Sequence, residues 1–148
     1  MNPKQRSLIA TVVLVVSVGL LVLQDMMIAR GYAGLALQVL ALALMVWARL
    51  TFGTRSFHAT ANPTAGGLVT TGPYRYWRHP IYAAVLLFVW AGVLTHGVSP
   101  ISSTVALAVL ATLMTAVRIQ AEEQMLLASV PEYAAYAART RRLIPFVF

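Results

Sequence analysis

The chain has 148 residues, of which 59% are hydrophobic and only 10% are charged, against the roughly one-quarter charged that is usual for soluble domains. So little polar surface cannot cover a soluble fold of this size, which makes lipid the missing solvent. The absence of cysteine excludes disulfides, thiolate nucleophiles and thiolate metal sites, and the net charge of +7 falls at the ends of apolar runs, as at a membrane flank, and not along one nucleic-acid-binding face.

The apolar runs at residues 8–28, 32–50, 81–95 and 101–117 predict about four transmembrane helices in a single domain, since about 20 residues at a rise of about 1.5 Å cross a bilayer core. The first run exceeds the apolar stretch of a secretory signal and has no clear small-x-small site after it, so it reads as a retained span. The third is the shortest, with Pro80 placed for a first helical turn. Lys4 and Arg6 precede the first run; Arg49, Arg55, Arg75 and Arg78 flank the middle loop; Arg118, Arg139, Arg141 and Arg142 lie in the tail. The connection near Asp25 and Arg30 and the turn "THGVSP" carry little positive charge. The positive-inside rule then puts both termini, the loop 51–80 and the tail 118–148 in the cytoplasm, with Trp47 and Trp77 at that interface.

The middle loop exceeds the usual connection length, which marks it as functional or disordered, and its Pro and Gly punctuation around Leu68 and Val69 favours a folded loop. It leads into "GPYRYWRHPIY", which gathers two arginines, a histidine, three tyrosines and two prolines. A Gly-Pro turn, an Arg-His pair at a helix start and a tyrosine one turn further on suit a polar ligand held at a helix end. Interfacial anchoring explains the same aromatics equally plainly. The scattered His58, His79 and His96 offer no metal-ligand spacing, and no phosphate-binding fingerprint is present.

The tail "VRIQAEEQMLLASVPEYAAYAARTRRLIPFVF" continues at helical period. Arg118 and Glu122 stand at i, i+4, an arrangement that an interfacial ion pair also explains. Pro131 is read as opening a second short helix capped by Ser129.

Three blocks in order, "LVTTGPYRYWRHPIY", "RIQAEE" and "PEYAAYAARTRRLIP", cover residues 68–145. Together they resemble the isoprenylcysteine carboxyl methyltransferases and their relatives among the phospholipid methyltransferases. The resemblance implies an all-α integral membrane methyltransferase that uses S-adenosyl-L-methionine, with a C-terminal helical tail completing the cofactor pocket. On that pattern Leu68, Val69, Gly72 and Tyr74 line the adenosine, and His79 and Tyr82 contact the cofactor. Glu122 and Glu123 match a glutamate pair associated with cofactor binding, and Arg118 matches an arginine near the acceptor. Tyr133, Tyr136, Arg139 and Arg142 match the tail motif that closes the pocket. Thr140 and Arg141 depart from the Val-Pro that relatives often carry there.

What the resemblance implies for the partner is a lipid-like or prenylated acceptor in the membrane, the inner or plasma membrane in a prokaryote, and no nucleic acid. Arg118 would orient a carboxylate acceptor, whereas an amine acceptor, as in phospholipid N-methylation, would need Glu122 as base. Two other readings compete: a sterol-reductase-like NADPH enzyme, which shares the "RHPxY" block, and a non-enzymatic membrane scaffold.

Overall fold

The computed structural model describes residues 1–53, 68–100 and 102–143. The glycine-rich part of the middle loop, with Arg55 and His58, lies outside the described residues, as do Ile101 and residues 144–148. Among the described residues the chain is helical: α1 (Pro3–Leu23), α2 (Gly31–Phe52), a 3-10 turn (Gly72–Arg75), α3 (Pro80–Leu94), α4 (Ser103–Ser129) and α5 (Tyr133–Arg139).

Local chemistry sets the helix ends. Asn2 caps α1 by accepting from the Gln5 amide at 2.8 Å, while the Asn2 amide donates to the Gln5 side chain at 3.1 Å. With Pro3 in the first turn, this capping box starts the helix five residues before the apolar run does. The helix stops at Leu23, and Asp25 takes a left-handed φ of 55°. Pro80 opens α3 as predicted. At 15 residues that helix is too short to count with the other three, which are long and apolar enough to cross a membrane. The chain is thus an integral membrane protein with three candidate spans and a shorter apolar helix.

The fourth predicted span and the start of the tail form one 27-residue helix, α4, capped by Ser102. Ser129 is not the cap of the next helix: it ends α4, where its hydroxyl donates to the Met125 carbonyl at 2.7 Å. The helix α5 begins two residues after Pro131, with Glu132 at its N-cap position.

The helices meet largely through small and hydrogen-bonding residues and turn aliphatic side chains outward. On α1 the buried residues are Ser7, Ala10, Ser17 and Leu21 while Val12, Val15 and Val16 face out; on α2, Gly34, Gln38, Ala41 and Ala48 are buried while Val39, Leu40 and Val46 face out. Small and hydrogen-bonding residues at helix contacts, with aliphatic side chains turned outward, are what a lipid solvent selects.

The helix α1 packs along α4, and α2 along α3, with α3 touching α4 less extensively. One end is closed by an apolar cluster of Leu21, Val89, Val93 and Ala108, joined by Met26 and Met27. Gln38 fastens the α1–α2 connection there: its Oε1 accepts from the Ala29 amide at 3.0 Å, and its Nε2 donates to the carbonyls of Met27 at 2.5 Å and Phe88 at 3.2 Å. The opposite end, where α2 and α4 finish and α3 begins, carries the polar residues singled out above.

Candidate functional site

The 3-10 turn of "GPYR" lies on the end of α2. Gly72 has φ +55°, and a Cβ there would come within 2.5 Å of Thr51 Oγ1, so only glycine fits the contact. The turn sets the Tyr74 ring 5.2 Å from that of Phe52. Downstream, residues 76–79 run beside the tail in a short parallel bridge between Trp77 and Arg141. Backbone bonds from Arg78 N to Arg141 O (2.7 Å), His79 N to Arg142 O (3.1 Å) and Arg141 N to Tyr76 O (3.1 Å) tie the two together. Tyr136 of α5 adds a hydroxyl bond to the Tyr74 carbonyl at 2.7 Å.

Into this frame α4 presents Arg118, Glu122 and Glu123, and the result is a continuous polar seam. Arg118 donates to Thr11 of α1 and to the Tyr82 hydroxyl. It also lies 3.4 Å from Glu122 Oε1, to which the Tyr82 hydroxyl donates at 2.5 Å. His79 sits between the adjacent carboxylates, its Nδ1 3.6 Å from Glu122 and its Nε2 3.4 Å from Glu123. Glu123 is gripped from two further directions, by Arg78 Nε at 2.8 Å and by Arg142 Nη2 at 2.9 Å. Three arginines therefore face two carboxylates, and all but Arg142 are largely buried. Removing such charges from lipid and water alike is tolerated only because each is paired.

Beside the seam opens a pocket lined by Phe52, Leu68, Val69, Tyr74, Arg78, His79, Leu126, Val130, Tyr133 and Tyr136, with about 490 Å³ of atom-free space counted out to its mouth. Its walls are mostly apolar and aromatic with a basic rim, the composition of a small-molecule site. Burial pushes the Tyr136 phenol up to about 12 and raises those of Tyr74 and Tyr133 as well, so all three are hydroxyl donors at neutral pH. The Tyr133 hydroxyl is buried and has no hydrogen-bond partner among the described residues. Such an orphan in a pocket wall is costly unless a ligand or water meets it.

Of the residues predicted from the sequence, Leu68, Val69, Tyr74, His79 and Tyr136 line the pocket. Tyr82, Arg118, Glu122, Glu123 and Arg142 form the seam next to it. Gly72 shapes the turn behind Tyr74 and is not on the lining. Arg139 is exposed and not on the lining, its guanidinium 6.0 Å from the Tyr136 ring centroid. Leu126 adds an apolar side chain to the lining.

Phe52 and Thr11 had no place in the predicted set, and Arg78 entered only as half of the Arg-His pair at a helix start. Arg78 stands next to His79 in the quoted block, and its burial at a membrane edge is the signal that would have found it. Among the described residues no group of three or more His, Cys, Asp or Glu side chains could hold a metal ion.

The lining is of a kind that suits an adenosylated amino-acid cofactor: aromatic and aliphatic walls for a purine, a buried Tyr133 hydroxyl able to donate to an acceptor, and Arg78, paired with Glu123, at its edge. Such a cofactor would carry an anionic carboxylate for that edge.

Comparison with known proteins points the same way. The profile of the isoprenylcysteine carboxyl methyltransferase family matches residues 34–128. Two curated proteins are similar over 79 residues, or 53% of this chain. The cobalt-zinc-cadmium resistance protein CzcN of Cupriavidus metallidurans is 38% identical, and the nickel-cobalt-cadmium resistance protein NccN of Alcaligenes xylosoxydans xylosoxydans is 37% identical. The match covers 35% and 36% of those two proteins, so the chain spans about a third of the length of the curated relatives it matches. No solved structure matches the chain.

Proposed function

The chain belongs to the isoprenylcysteine carboxyl methyltransferase family, a family of methyltransferases, and from that premise we propose that it transfers a methyl group from S-adenosylmethionine to a carboxylate on a lipid-like or prenylated acceptor. The observation that carries the reading is the union of the seam with the aromatic pocket, in which Glu122 and Glu123 splay to either side of His79. By the positive-inside rule this end of the bundle faces the cytoplasm, where a water-soluble cofactor is available.

Phe52, Leu68, Val69 and Tyr74 would hold the adenosine, and Tyr133, Tyr136 and the Arg78–Glu123 edge the remainder. When bound, the cofactor supplies a sulfonium methyl group whose transfer to a carboxylate removes one positive and one negative charge, a change favoured at low dielectric. Arg118 orients the acceptor carboxylate by a charge-assisted contact. Tyr82, bonded to both Arg118 and Glu122, fixes their side chains so that the acceptor is aligned for in-line attack. Leu126 and Val130 add apolar side chains to the pocket lining.

An amine acceptor would require a base. The one positioned carboxylate described on that side, Glu122, is already engaged: it takes a 2.5 Å bond from Tyr82 and lies beside Arg118, so its oxygens are committed to holding those side chains.

Calorimetric titration of the purified protein in detergent with S-adenosylhomocysteine, in parallel with NADPH, tests the reading. Binding of the first alone is the expected result. A folded preparation that binds NADPH, or neither compound, overturns it.

A further inference from the structure

We propose that Arg78 is a positioning residue that makes docking of residues 133–142 and occupancy of the pocket a single equilibrium. The inference rests on the cofactor assignment above and adds a mechanism for how the pocket is closed.

Arg78 uses its guanidinium on two segments distant in sequence. Its Nε donates to Glu123 of α4 at 2.8 Å, while its Nη1 donates to the carbonyls of Ala137 at 2.8 Å and Thr140 at 2.5 Å. The latter two carbonyls belong to the end of α5, where a helix leaves acceptors without internal partners and where a cation is favoured. With seven residues, α5 is too short to be stable alone. What holds it is tertiary: the buried rings of Tyr133 and Tyr136, the bridge to residues 76–79, and the Arg78 fork.

The same tyrosines form part of the pocket wall, opposite Phe52, Leu68 and Val69. A ligand in the pocket therefore touches both the docked tail and the body that receives it. Whatever it gains from the docked tail it returns as docking energy, and by linkage the two effects are equal in size. A planar fork is needed to reach a carboxylate and two carbonyls at once; a lysine ammonium is a point charge on a flexible stem and does not reproduce the arrangement.

The tail carries its own reporter. Arg139 and Arg141 are exposed side chains, but trypsin can cut beside them only when the backbone leaves residues 76–79. The experiment measures the rate of cleavage after Arg139, by intact mass, in the full-length protein in detergent with and without S-adenosylhomocysteine, together with the dissociation constant of that compound.

In the wild type, saturating ligand is expected to slow the cut about tenfold or more. In Arg78→Lys the cut without ligand is expected to be about tenfold faster, and the dissociation constant to rise in inverse proportion to the docked fraction that remains. Arg142→Ala, which removes the more exposed of the two arginines on Glu123, moves both readouts the same way by a smaller factor and serves if Arg78→Lys does not fold.

A wild-type tail cut at the same rate with ligand bound overturns the inference, as does a variant whose tail is released with ligand affinity unchanged. Absence of binding to the wild type, seen by calorimetry before protease is added, overturns the cofactor assignment and this inference with it.

Discussion

Arg78 and Glu123, 45 residues apart in sequence, meet at 2.8 Å with only 11% and 10% of their side chains exposed. The pair is the point where the segment leading into α3, the end of α4 and the tail are joined, and the consequences of breaking it follow from its burial.

Replacing Glu123 by glutamine keeps the shape but leaves Arg78 and Arg142 facing a neutral group. Uncompensated buried charge in such a pair costs about 3 kcal/mol. Glu123→Gln should therefore lower the thermal midpoint in detergent markedly and weaken S-adenosylhomocysteine binding. A variant with wild-type melting would mean that water reaches the pair.

Glu122 separates acceptor chemistries. For a carboxylate acceptor no proton must be removed, and Glu122→Gln should reduce turnover less than about tenfold, since the amide still accepts from Tyr82. Loss of a required base costs about a hundredfold or more. The check is the rate of labelled-methyl transfer to a lipid extract, with products hydrolysed in mild alkali to distinguish esters from methylamines.

Tyr136 makes tail docking sensitive to alkaline pH. Its phenol is raised to about 12 by burial, so the folded protein holds the proton that the unfolded chain loses near 10. The folded state binds more protons across that window, and stability falls as pH rises from about 10 towards 12. The thermal midpoint should drop between about pH 10 and about pH 12, and the drop should be smaller in Tyr136→Phe.

At the other end, a Cβ on Gly92 would lie 2.6 Å from the carbonyl oxygens of both Met26 and Met27. Backbone on both sides cannot yield cheaply, so Gly92→Ala should destabilise by about 1–3 kcal/mol. Affinity for S-adenosylhomocysteine, measured well below the melting temperature, should be unchanged because the pocket is at the opposite end.

The helices were legible because apolar runs of this length have few other uses. Their limits were less so: α1 starts at Pro3 because of a side-chain box around Asn2 and Gln5, which hydropathy does not register. Ser129 resembled a cap by type, yet a serine at a helix end also satisfies itself by bonding back to the preceding turn, as it does with Met125.

In the site, Arg118 and Glu122 stood out as an i, i+4 pair, and the resemblance to the family implied their roles. The role of Arg78 depends on where residues 137–142 return in space, and local periodicity carries no such information. The departure at Thr140 and Arg141 has a physical reading too. Thr140 gives Arg78 its carbonyl, which any residue supplies, whereas the Arg141 amide donates to the Tyr76 carbonyl, a bond that a proline there would lack.

Thr11 is joined to Arg118 across 107 residues, and Tyr74 to Tyr136 across 62. A ribosome delivers α1 first and α5 last of these parts. A nascent chain halted before Tyr133 already owns α1 to α4 and the apolar cluster around Leu21 and Val93, but has only one side of the pocket. Insertion into the bilayer and acquisition of the site are thus separate events in the life of the chain, and the second waits for the final turn of helix to be translated.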